Sequence, residues 1–210
     1  MKFEFLSDLD DYFCEVYANY DKLCVLPGYR MPKMQDTRTD EFGRKYAYTL
    51  PANTMRLALQ ENKAELLETL KEKMTDKTFS FSFRPLGFFA KIRELFAKVT
   101  FKKTLKEVAG RYNLTVEQVG EGLDVSPDVW KNIVKGKFYP SKNLVLSIAL
   151  TARLTYQETK ALLEVSDYEF DYEEVKDTVI AYLLFKGIYN PAMVQAALEE
   201  YKVQNLFIKW

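Results

Sequence analysis

Histidine is absent from this chain of 210 residues, and cysteine occurs only twice. The first absence removes Ser–His–Asp and Cys–His catalysis and every metal site that needs an imidazole. The second leaves too few thiolates for a zinc knuckle. Cys14 and Cys24 stand ten residues apart on what reads as one helix. At 1.5 Å of rise per residue that spacing is about 15 Å, beyond disulfide reach. They read as reduced core residues of a cytoplasmic protein. Gly120-Glu121-Gly122 is not followed by the third glycine of a dinucleotide loop, and Gly136-Lys137 does not sit in a phosphate loop. No apolar run approaches the roughly 20 residues that a bilayer span needs. Acids interrupt residues 1–8 before they could serve as a signal peptide. Excess charge is missing too, since 30 basic residues balance 30 acidic ones, so any nucleic-acid surface has to be local. Nothing here points to an enzyme: no catalytic residue, cofactor or metal site is predicted. The acids Asp167, Glu169 and Asp171 read as a solvated face, because they lack the fixed loop spacing of a cation site.

What is present favours helices. Apolar residues make up 48% of the chain, ample for a core. The reading is mainly α, in three parts: a helical region at residues 1–99, a helix-turn-helix domain at 100–166, and a helical extension at 167–210. Within the first, residues 7–24 carry Leu9, Phe13, Val16, Tyr20 and Leu23 at helical steps, and Pro27-Gly28 ends the run. Residues 29–51 read as a long polar loop with a strand near 45–50. Residues 53–75 read as a second helix. The alternation of 78–83 suggests a strand that could pair with 45–50 in a small two-stranded ribbon. Residues 88–99 read as a further helix. Basic residues outnumber acidic ones two to one between positions 84 and 142, whereas the tail is acidic.

Residues 114–137 carry the most information. Thr115 and Gln118 form a capping box. Val119 and Leu123 give the following short helix an apolar stripe, and Gly120 leaves room for a crossing helix. Ser126, Pro127 and Asp128 suit the N-cap and first turn of a second helix. That helix turns Val129, Trp130, Ile133 and Val134 inward and Asp128, Lys131, Asn132 and Lys135 outward. A helix at 101–112 precedes this pair. An apolar helix at 143–154 follows it, and then a helix opened by the Thr155–Glu158 capping box. In the extension, a helix at 175–186 stops at Gly187 and another follows Asn190-Pro191. The apolar terminus 203–210 is expected to be tied down, onto the body or onto a second subunit.

The pattern of Val119, Gly120, Leu123, Val125, Trp130, Ile133 and Lys135-Gly136-Lys137 resembles the Cro/CI-like (XRE, lambda-repressor-like) helix-turn-helix family over about residues 101–165. The chain departs from that family at Asp124, where a turn glycine is usual. Asp tolerates a left-handed backbone well enough for the turn to survive. The extension resembles tails that follow such units in uncharacterised bacterial proteins. The resemblance implies a sequence-specific DNA-binding regulator acting on double-stranded DNA as a homodimer, joined through its C-terminal or N-terminal helices. In it, Asn132 would pair with adenine and Lys131 with guanine, and Asp128 would accept from cytosine. Lys135, Lys137 and Lys142 would hold phosphates, and Ser126 would offer its hydroxyl and amide to one. The alternative is a protein-interaction module that keeps the shape without binding DNA; zero net charge and Asp128 speak for it.

Overall fold

The computed structural model describes residues 3–18, 35–49, 67, 83–90, 97, 99–172 and 174–210. It is mostly helical, with a small two-stranded antiparallel sheet. Two compact units divide the chain, one of Met1–Thr75 with Asp171–Thr178, the other of Asp76–Phe170 with Val179–Trp210. The expected helix at 53–75 lies outside the described residues, as do residues 19–34 and nearly all of the expected strand at 78–83.

The first unit holds α1 (Phe5–Ala18), which buries Leu6, Leu9, Phe13, Cys14 and Val16. These are the three- and four-residue steps of one helical face. Its ribbon joins β1 (Gln35–Thr39) to β2 (Lys45–Thr49), with Thr37 opposite Ala47. The expected pairing with 78–83 falls outside the described residues, while the strand near 45–50 is present and pairs with the preceding segment. The reason is local. Asp40 accepts from the backbone N–H groups of Phe42 (2.9 Å) and Arg44 (2.8 Å), and Gly43 supplies the left-handed corner at φ 77°. Those bonds, the one to the Arg44 amide foremost, hold the half-buried Asp40 carboxyl below its ordinary range.

The second unit begins with residues 83–90 and continues into α2 (Phe101–Arg111), α3 (Val116–Glu121), α4 (Pro127–Val134), α5 (Lys142–Thr151) and α6 (Tyr156–Glu164). Each has a side-chain N-cap, from Thr100, Thr115, Ser126, Ser141 and Thr155 in turn. Both expected capping boxes are formed. All nine residues from Lys142 to Leu150 are buried, which makes α5 the centre of the unit, with α6 against it and α2 against α6. Helices α7 (Val175–Lys186) and α8 (Pro191–Glu200) complete the chain, Gly187 ending the first at φ 63° and Asn190 capping the second.

Candidate nucleic-acid interface

Trp130 joins α3 to α4. Its ring is buried, its indole N–H donates to the Val116 carbonyl at 3.2 Å, and it lies directly over Gly120. A methyl group at Gly120 would run into that ring. Trp130 and Ile133 thus fix the inner face of α4, Val129 and Val134 being only half-buried, and leave Asp128, Lys131 and Lys135 exposed.

The turn between α3 and α4 is built differently from the expectation at Asp124. That residue is not left-handed; Gly122 sits in ordinary helical space at φ −77° and closes α3. In place of a glycine corner, the turn is paired to the C-terminal tail. The Asp124 N–H donates to the Phe207 carbonyl (3.1 Å) and the Lys209 N–H to the Gly122 carbonyl (3.2 Å), bracketing an antiparallel bridge between Leu123 and Ile208. The tail is held in turn by α5. The Phe207 N–H donates to the Ser147 hydroxyl (2.9 Å), and the Asn143 side-chain amide donates to the Asn205 carbonyl (3.0 Å). The apolar terminus is tied down onto its own chain.

The far end of α4 is paired as well. The Leu86 N–H donates to the Lys137 carbonyl (2.7 Å) and the Tyr139 N–H to the Arg84 carbonyl (2.9 Å), while the Arg84 guanidinium lies 4.6 Å over the Tyr139 ring. Beside this join runs a cleft of about 500 Å³ between the start of α2 and the end of α4. Lys102, Lys103, Lys135 and Lys137 line it, with no carboxylate among the described lining residues. Lys102 and Lys103 came close to notice in the sequence as part of the basic excess. Only the fold sets them across from Lys135 and Lys137.

The predicted side chains separate accordingly. Ser126 is exposed and caps α4, accepting from the Val129 N–H at 3.3 Å. Lys131, Lys135 and Lys137 are exposed, and none of the three engages a described residue in an ion pair. Asp128 lies exposed on the same helix. Asn132 is half-buried, its backbone carbonyl accepting from the Lys137 N–H at 2.8 Å. Lys142 is a correction: it is only 7% exposed, because α5 is enclosed on every side at its first turn, and it does not share the exposure of Lys131, Lys135 and Lys137.

Behind the interface, Glu158 ties α6 to α2. It accepts from the Tyr112 hydroxyl (2.7 Å), the Thr155 amide (2.9 Å) and hydroxyl (2.8 Å), and Arg111 (3.2 Å). Burial pushes its carboxyl up, but the bonds from Tyr112, Thr155 and Arg111 outweigh that, and it titrates below its ordinary value. Burial, reinforced by the bond to Glu158, pushes the Tyr112 phenol up to about 12.

Among the described residues no helix is long and apolar enough to cross a membrane, and no acidic or cysteine cluster is arranged to hold a metal ion. Protein-family models, curated proteins and solved structures give no match to this chain.

Proposed function

We propose that α2–α6 form a five-helix unit of the Cro/CI-like kind and that α4 enters the major groove of double-stranded DNA, as in a sequence-specific transcriptional regulator. The lysine cleft carries the reading. Four lysines line one channel beside the second helix of a helix-turn-helix, the Lys103 ammonium donating to the Ala97 carbonyl (3.3 Å), with no described carboxylate among them, which is a surface suited to a phosphate backbone. Ser126 and Asp128 stand at the N-terminal end of α4, the part that meets base edges in such docking, and Lys131 projects from its last turn. Asn132 reaches a base only through the exposed part of its amide. Lys102 takes the phosphate-holding place that Lys142 vacates.

Fluorescence anisotropy with random-sequence duplex DNA tests the reading. Binding is expected to weaken steeply with salt, and Lys131→Ala with Lys135→Ala is expected to weaken it further while leaving the helical circular dichroism intact. Salt-insensitive binding, or none, would leave the protein-interaction module. One observation favours that second reading: Phe88 and Phe89 pack edge to face at 5.8 Å and are 73% and 85% exposed.

A further inference from the structure

A second groove, of about 540 Å³, adjoins the first, sharing Lys102, Val134 and Lys135 with it, and lies between α4, α3, the start of α2 and the C-terminal tail. We infer that it binds a small amphipathic organic anion: an aromatic or aliphatic body bearing one carboxylate or sulfonate. The volume falls within the roughly 300–1,000 Å³ typical of small-molecule sites. Val125, Pro127, Trp130 and Val134 give it an apolar floor. The Trp130 N–H is already spent on the Val116 carbonyl, so the ring presents only its hydrocarbon edge to an occupant.

The rim is charged and lopsided. Lys102, Lys131, Lys135 and Lys209 stand against Glu117 and Glu121, both of which belong to α3. Lys102, Lys131 and Lys135 engage no described residue in an ion pair, while the Lys209 ammonium is pinned at the rim by the Glu121 carbonyl at 3.0 Å. An apolar body on the floor therefore finds its anionic head drawn toward α2 and α4 and away from α3. A neutral ligand leaves those ammonium groups unanswered, and a cation meets four of them. The site stands independently of the DNA reading. If that reading holds, an occupant beside Lys131 and Lys135 obstructs the duplex, which would make the groove an effector site.

The probe is anilinonaphthalene sulfonate, with phenylnaphthylamine as the same rings without the anion. Trp210→Phe leaves Trp130 as the single indole of the chain, whose two tryptophans are Trp130 and Trp210. Saturable, one-to-one quenching of Trp130 by the sulfonate is expected, with affinity falling about tenfold in Lys131→Gln/Lys135→Gln and to a similar degree for the neutral probe. Val134→Glu, which sets a carboxylate on the floor, is expected to abolish binding. Should that variant unfold, the exposed lysine pair still decides. Non-saturable quenching, or equal affinity in the lysine variant, overturns the inference. Duplex titrations on the same samples separate the two readings: DNA binding without probe binding sinks this one alone, and probe binding without DNA binding sinks only the regulator.

Discussion

Gly120 and Trp130 form the tightest residue-scale fit in the α3–α4 pair. Alanine ordinarily stabilises a helix relative to glycine by about 1 kcal/mol. At Gly120 that gain is outweighed, because the added methyl meets an indole that burial and the Val116 bond prevent from swinging aside. Overpacking of this kind costs about 1–3 kcal/mol. Gly120→Ala is therefore expected to lower urea stability by about 1–2 kcal/mol net, and Trp130→Phe, with its smaller ring, to recover part of the loss in the double variant. A simple additive result would mean that the ring does not lie over Gly120. The sequence showed that a small residue was needed here but not what fills the space.

Elements are joined by two devices with different signatures. The Glu158 cluster links α6 to the end of α2 and is sensitive to pH. A carboxyl whose pKa is lowered by folding adds stability that is present above its unfolded value, about 4.3, and lost as pH falls through the folded one. Thermal midpoints of the parent protein are thus expected to drop more steeply below about pH 4.5 than those of Glu158→Gln. Tyr112 has the opposite sign. Its phenol is raised to about 12, so its contribution is present below the unfolded value and lost as pH rises through the folded one. Tyr112→Phe should flatten that alkaline loss; an unchanged profile in both variants would contradict the linkage. The tail is the other device. Phe207 is 7% exposed, its amide and carbonyl both engaged by the body. Phe207→Ala is expected to cost about 3 kcal/mol in urea unfolding. A loss below about 0.5 kcal/mol, the level of an ordinary surface change, would show that the terminus is not seated on the turn.

For the whole molecule, zero net charge and a local lysine cleft predict a specific balance in DNA binding. Weak long-range attraction should coexist with a contact-dependent salt slope. Replacing Lys131 and Lys135 together should reduce the slope of log K against log salt by about 1, the share of Lys135, since Lys131 is placed on a base; an unchanged slope would remove Lys135 from the phosphates. Regulators of the proposed kind engage paired half-sites about 34 Å apart, so light scattering is expected to report a homodimer. The tail is occupied on its own turn, leaving Trp210 62% exposed at the end of the chain. A monomer at every concentration would remove the palindromic mode and leave single-site binding.

What the sequence determined by itself was local. The capping boxes at Thr115 and Thr155, the Ser126-Pro127 helix start and the fully buried α5 were legible, because caps and periodicity depend on residues within one or two turns. The tertiary structure decided everything that joins distant residues. Leu123 meets Ile208, Lys137 meets Leu86, and Lys102 and Lys103 face Lys135 and Lys137. It also buried Lys142 at the start of α5 and paired the Asp124 turn with the C-terminal tail. Periodicity says which face of a helix is covered; only the packed chain says by what.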